Sequence, residues 1–264
     1  MSDPRTTPVR GGVVATGGSP QSIVRGRVSL RHAPSPDAVQ DDELLFGETF
    51  TVFESGSGWA WGQSASDGYV GYVHTIACSA PVAPTHRVTA LATALLAGPD
   101  IKRPARDLLP FGARVKVLDR AGDFARIAPD GFIFVGHLAP LDAPVADWVA
   151  TAERFVGAPY VWGGKTHAGI DCSGLVQISL AGAGIACPRD TDQQEAALGS
   201  DAARLPRRRG DLVFWNGHVA IMLDATRLIH ANAFHMQVEV EPLADAIARI
   251  APAAGPVTAI RRLQ

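Results

Sequence analysis

The stretch Asp171-Cys172-Ser173-Gly174-Leu175-Val176 carries the residue types of nucleophilic chemistry. A cysteine follows a small acid and precedes an apolar, helix-compatible run. That order places Asp171 at an N-cap and Cys172 in the first turn of a helix. Unpaired backbone N–H groups and the positive end of the helix dipole favour a thiolate over a thiol there. Cys172 is therefore a candidate nucleophile.

Two histidines follow in a suitable arrangement. Gly210 to Trp215 reads as a strand, Asn216-Gly217 as a tight turn, and His218 to Leu223 as the next strand. Leu228-Ile229-His230 then pairs back. Alternation puts His218, Ala220 and Met222 on one face. His230 joins them if the loop is odd in length or a bulge intervenes. The small Ala220 is expected to leave room beneath the rings for the start of the Cys172 helix. His218 is then the base and His230 its orienter. Backbone N–H groups at the helix start, with the Tyr160 hydroxyl, would stabilise an oxyanion. A zinc site of Cys172 with His167 or His235 matches no common ligand spacing, so no metal or cofactor is expected.

The elements that position these residues can be read on either side. Asp142-Ala143-Pro144 is expected to open a helix carrying Val145, Trp148, Val149, Ala152 and Phe155 inward, with Gly157 and Pro159 stopping it. Tyr160 to Gly164 reads as a turn. Thr191 with Gln194, or Asp190 with Gln193, fits a capping box for a further helix. More strands are expected over 237–240 and 257–261, with a short helix over 243–250. Antiparallel strands beside helices make this part an α+β domain.

The front of the chain is different. After a Gly-, Pro- and Ser-rich lead-in, Val24 to Val28 alternates, and short strands follow around Thr49 to Phe53, Trp59 to Trp61 and Tyr69 to Val73. About sixty residues on, Val115 to Asp119 answers Phe50 to Glu54, and Phe124-Ala125 answers Trp59-Ala60. Asp130 to His137 aligns without gaps on Asp67 to His74. The repeat predicts two small β units joined near Ala83-Pro84. The expected domains are a lead-in over 1–20, β units over 21–82 and 83–142, and the α+β domain over 143–264.

Charge and composition narrow the function. Twenty-four basic against 26 acidic side chains leave a net charge of −2, without a nucleic-acid footprint. No apolar run is long enough to span a membrane, and Met1 to Gly12 has no apolar export core. Three cysteines without a CxxC pair fit a reducing, cytoplasmic setting. A monomer is expected.

Together, Tyr160-Val-Trp-Gly-Gly, Asp171-Cys-Ser-Gly, Gly210-Asp-Leu-Val-Phe, Gly217-His-Val-Ala-Ile and Ile229-His-Ala resemble the NlpC/P60 cysteine peptidases over about Pro144 to Gln264. The β units resemble bacterial SH3-like barrels. The resemblance implies a papain-like α+β core behind two all-β barrels. It also implies hydrolysis of the bond from the γ-carboxyl of D-Glu to a diamino acid, Lys or diaminopimelate, in a murein peptide. Two such barrels before the peptidase resemble the γ-D-glutamyl-L-diamino acid endopeptidases, which cut freed peptides with an unblocked N-terminal L-Ala. That likeness implies substrate-binding roles for Asp171 and Ser173. It implies a hydroxyl contact from Thr191, where the family has serine, and an amine cap from Glu48 and Tyr69. The alternatives are an exported hydrolase of intact wall, a non-catalytic binding module, and a related amidase or acyltransferase.

Overall fold

The computed structural model describes residues 17–263. It divides at Ala143 and Pro144 into two units, each taken by itself below.

The first unit holds two barrels. One is built from β1 (Ser19–Ile23), β2 (Arg27–Arg31), β3 (Gln40–Leu45), β4 (Thr49–Gly56), β5 (Trp59–Ser64), β6 (Val70–His74) and β7 (Cys78–Ser79). The other is built from β8 (His86–Val88), β9 (Ala92–Leu96), β10 (Ala105–Pro110), β11 (Arg114–Ala121), β12 (Phe124–Ala128), β13 (Phe132–Phe134) and β14 (Leu138–Pro140). Their sheets run β3-β2-β6-β5-β4-β1-β7 and β10-β9-β13-β12-β11-β8-β14, the same order twice. The copy extends to detail. A register shift falls between Val52 and Glu54 in β4, and another between Val117 and Asp119 in β11.

Three expectations are corrected here. β1 begins at Ser19, inside the expected lead-in, whose residues 1–16 lie outside the described part of the chain. Val24 to Val28 is not one strand. β1 ends at Ile23 and β2 starts at Arg27, because the chain turns at Gly26, whose N–H donates to Asp107 of the second barrel at 2.8 Å. The gapless alignment of Asp67 to His74 on Asp130 to His137 also fails. Trp61 pairs with Tyr72 in the first barrel and Arg126 with Phe132 in the second, so Phe132 takes the place of Tyr72, not of Tyr69. The second turn is shorter, and the matching Asp-Gly pairs disguise that.

Each barrel closes on its own alternating apolar residues. Ile23, Leu30, Leu44, Phe50, Ala60 and Val73 fill the first. Val88, Leu109, Val115, Ile127 and Ile133 fill the second, together with Phe46 from the β3–β4 turn of the first. Gly47 beside it lies at φ +77°, and a Cβ there would sit 1.8 Å from the Arg114 carbonyl oxygen. Only glycine permits that approach.

The second unit contains α1 (Trp148–Glu153), β15 (Lys165–Thr166), β16 (Gly169–Ile170), α2 (Cys172–Gly182), α3 (Thr191–Ala197) and β17 (Ser200–Asp201). It continues with β18 (Asp211–Trp215), β19 (His218–Met222), β20 (Arg227–Asn232), β21 (Gln237–Pro242), α4 (Leu243–Ala254) and β22 (Ala259–Arg262). Its antiparallel sheet runs β17-β22-β18-β19-β20-β21. α1 starts later than expected. Asp147, not Asp142, caps it, accepting from the N–H groups of Val149 and Ala150 at 2.9 and 3.0 Å. The segment before it is held elsewhere, the Val145 N–H donating to the Gly182 carbonyl. α2 is buried along nearly its whole length, its polar residues Ser173, Gln177 and Ser179 included.

Candidate active site

Asp171 occupies the N-cap of α2, in extended backbone. Its carboxylate does more than cap. Oδ1 accepts from the Gly174 N–H at 2.7 Å, and Oδ2 from the Gly163 N–H at 2.8 Å. Arg189 donates to both oxygens, at 2.9 and 2.7 Å, and to Ser173 Oγ at 2.7 Å. The guanidinium is 2% exposed. A loop, a helix start and the segment before α3 are thus tied through one buried ion pair. Asp171 and Ser173 both take part in this network, which sets the backbone around Cys172.

Sequence reasoning missed Arg189 as a site residue. It directly precedes Asp190 and Thr191, but its partner lies 18 positions away. Thr191 is the first residue of α3 and half-buried. The capping box expected there is not made by Gln194. That buried amide instead donates to the carbonyl of Ser173 at 3.0 Å and of Pro188 at 2.8 Å, bracing α2 against α3. Asp190 is the N-cap but forms no side-chain cap bond.

Close approach at this corner requires Gly174. A Cβ there would lie 2.3 Å from the Gly164 carbonyl oxygen, part of the Tyr160–Gly164 turn. Gly174→Ala is expected to destabilise the protein by about 1–3 kcal/mol, since backbone must move to relieve the clash. Urea denaturation would show this as a lower midpoint, and Cys172 would shift with the helix start.

Cys172 is 7% exposed. Burial pushes its thiol up to about 12, and the negative charge of Asp171 adds to this. The Val219 N–H, Arg189 and the Ser173 N–H pull the other way without prevailing. The helix start does favour the anion, as its sequence implies. Desolvation outweighs it, so the resting sulfur is a thiol. Val219 directly follows His218, so its contact with the sulfur brings β19 to the nucleophile.

The histidines meet. His218 Nε2 lies 2.8 Å from His230 Nδ1, with ring centroids 5.0 Å apart. Trp215, opposite His218 across the Asn216-Gly217 turn, packs on the same ring at 5.7 Å. Nε2 being engaged, Nδ1 is the nitrogen of His218 left to exchange a proton with sulfur. The face behind them differs from expectation. Ala220 and Met222 pack with Leu228, Ile260 and the α4 residues Ala246 and Ile250. The space beside Ala220 is filled by α4 rather than by the start of α2.

Tyr160 is half-buried. Burial raises its phenol, and the negative charge of Asp171 raises it further, so it stays a hydrogen-bond donor. Glu48 and Tyr69 belong to the first unit. Glu48 is buried, and its Oε2 accepts from the Leu45 N–H at 2.9 Å, closing the β3–β4 turn. Tyr69 packs against the first barrel's core, and its N–H donates to Asp67.

Both imidazoles are held neutral. Burial lowers His218 to about 3, with His230 and Arg249 adding to the effect and Glu241 opposing it. Burial lowers His230 to about 3, helped by Arg249 and His235. A histidine with a depressed folded pKa contributes stability above its unfolded value of about 6.5, and that contribution is lost as pH falls toward the folded value. The unfolding midpoint is therefore expected to fall steadily below about pH 6.5. A His218→Asn, His230→Asn double variant should show a flatter profile in the same thermal scans.

The array combines a cysteine at a helix N-terminus, an imidazole pair and a protonated phenol. Comparison with known proteins finds the same region in a family pattern. The NlpC/P60 family pattern matches residues 157–249, a span that encloses Tyr160, Cys172, Arg189, His218 and His230. The chain carries an NlpC/P60 domain. The pattern described as bacterial dipeptidyl-peptidase Sh3 domain matches residues 30–77, within the first barrel. Ahead of the NlpC/P60 domain, then, stands a bacterial SH3 domain, with a second barrel of the same strand order between them.

Among curated relatives, the chain is 37% identical over 95 residues to dipeptidyl-peptidase 6 of Lysinibacillus sphaericus, covering 36% of this chain and 35% of the relative. It is 30% identical over 148 residues to the gamma-D-glutamyl-L-lysine dipeptidyl-peptidase of Bacillus cereus, covering 52% of this chain and 41% of the relative. The match thus spans well under half the length of these two relatives. A solved NlpC/P60 family protein from Bacillus cereus superposes over 92% of this chain and 99% of its own, with a TM-score of 0.78 at 20% identity. That likeness shows the fold alone.

Proposed function

We propose that the protein is a cysteine peptidase that hydrolyses the γ-D-Glu to diamino acid bond of murein peptides already released from the wall, those with an unblocked N-terminal L-Ala. The observation that carries the reading is the 2.8 Å contact between His218 and His230 on the strand that meets the Cys172 sulfur. The name of the Bacillus cereus relative, a gamma-D-glutamyl-L-lysine dipeptidyl-peptidase, supports the bond, and the NlpC/P60 match over residues 157–249 supports the chemistry. Recycling in the cytoplasm is part of the proposal.

The steps follow from the resting protonation states. The thiol proton passes to His218 Nδ1 as the sulfur attacks the γ-carbonyl carbon. The C–S bond forms, and the oxyanion is met by N–H groups at the start of α2 and by the Tyr160 hydroxyl. His218 then gives its proton to the departing α-amine of the diamino acid, and the C–N bond breaks. Water enters, losing a proton to His218. The hydroxyl adds to the thioester carbon, the C–S bond breaks, the sulfur takes that proton back from His218, and L-Ala-γ-D-Glu leaves with a new carboxyl group. Throughout, His230 holds the His218 ring.

The test compares L-Ala-γ-D-Glu-diamino acid with its N-acylated form. The reading expects hydrolysis of the free peptide and at least about tenfold slower turnover of the acylated one, the cost of leaving one polar group unpaired. Equal rates on both, or a preference for intact peptidoglycan, would replace it with a hydrolase of the intact wall.

A further inference from the structure

Behind His230 the polar chain continues. His230 is 0% exposed, and its Nε2 has no hydrogen bond. The atom facing it is Glu241 Oε2, at 3.7 Å. Glu241 is itself buried at the end of β21 and held in place. Arg249 Nη2 donates to both its oxygens at 2.8 Å, from one turn and a half along α4. His235 Nδ1 stands 3.1 Å from Oε1, and also 3.1 Å from Asn232 Oδ1. Glu239, opposite His230 in the β20–β21 register, is a further charged group here and accepts from Gln237.

We infer that Glu241 is a positioning residue: its carboxylate selects the His230 tautomer that makes His218 a base. This rests on the catalytic reading above and extends it by one residue. His218 accepts the thiol proton on Nδ1 only if its own proton sits on Nε2. Nε2–H then donates to His230 Nδ1, which must carry a lone pair, so the His230 proton sits on Nε2. That N–H points at Glu241. The opposite tautomer would place a lone pair against a buried carboxylate and a proton on Nδ1. His218 would then be protonated on Nδ1 and unable to act. A charged acceptor beside Nε2 excludes the second state.

Distance and charge fit this role. At 3.7 Å the contact lies beyond hydrogen-bond range, so in the resting enzyme it acts through its field. Catalytic contacts of this kind commonly tighten once the transition state forms. Arg249 donates to both oxygens of the carboxylate, which offsets the cost of burying it and limits its pull on a proton at His230.

Glu241→Gln keeps the shape and removes the charge. The expected result is a fall in kcat of about 10²-fold with KM unchanged, the loss of one well-placed acid–base partner. Nitrogen-15 spectra of histidine-labelled protein should show the Nε2–H form of His230 in the wild type and a mixture in the variant. Alkylation of Cys172 by iodoacetamide should slow in parallel. The last two readouts need no substrate, so they stand apart from the proposed peptide specificity. The double variant Glu241→Gln, Arg249→Gln removes the stranded cation and should remain slow. Wild-type kcat in either variant, or an Nδ1–H form of His230 in the unmutated enzyme, would overturn the inference.

Discussion

Cys172→Ala is expected to lower kcat/KM on a γ-D-glutamyl peptide by about 10⁴-fold or more, with folding almost untouched. The two parts of that expectation come from different facts. In the proposed mechanism the sulfur is the atom that attacks, so nothing replaces it. The side chain is small, and its loss from a buried site should cost about 1 kcal/mol. His218→Ala should be as damaging, and the two together no worse than either alone, because residues that act as a unit are not additive. Independent, multiplying losses would mean that His218 serves some step other than activating the sulfur. Cys172→Ser should also be inactive, since an alcohol has a far higher pKa than a thiol and the neutral His218 is a weak base.

The second large effect is structural. Arg189→Met is expected to destabilise the protein by about 3–5 kcal/mol, the usual result of stripping the partner from a buried charge. Asp171 would keep its two backbone contacts but face no cation, deep beside the nucleophile. Adding Asp171→Asn should restore most of the stability, because asparagine still caps α2 and carries no charge. It should not restore full activity, since the fork that fixes Gly164 and Ser173 would be gone. Urea midpoints for the single and double variants read the first point and peptide turnover the second. A single variant as stable as the wild type would mean that the ion pair contributes little to the fold.

What the sequence discloses and what it hides follow one physical line. Local chemistry is legible. The Asp171 cap, the Asn216-Gly217 hairpin and the alternation that brings His218 and His230 together are each decided within a few residues. The doubled barrel is legible as well, because a repeat is a comparison of the chain with itself. Competition for the same atoms is not. Thr191 and Gln194 have the spacing of a capping box, yet Gln194 is claimed by carbonyls that only the fold brings near. Asp142 looks like a helix start, but Asp147 has the N–H groups within reach.

Burial is the other hidden quantity. The helix N-terminus argued for a thiolate, and the sign of that local effect is right. The enclosing residues remove more hydration than the helix end supplies, and the thiol stays protonated. Ala220 likewise has the size to admit a helix, but α4, more than twenty residues on, fills the space. Arg189 and Glu241 went unassigned for the same reason, since their partners are set by tertiary packing.

The central claim is that the Cys172 sulfur forms a thioester with the γ-carboxyl of D-glutamate. The most direct measurement is to mix the enzyme with L-Ala-γ-D-Glu-diamino acid, quench in acid during turnover, and map the modified residue by mass spectrometry. The account predicts an L-Ala-γ-D-Glu adduct on Cys172, absent in Cys172→Ala. Steady turnover with that adduct lacking, or an adduct on another residue, would contradict it.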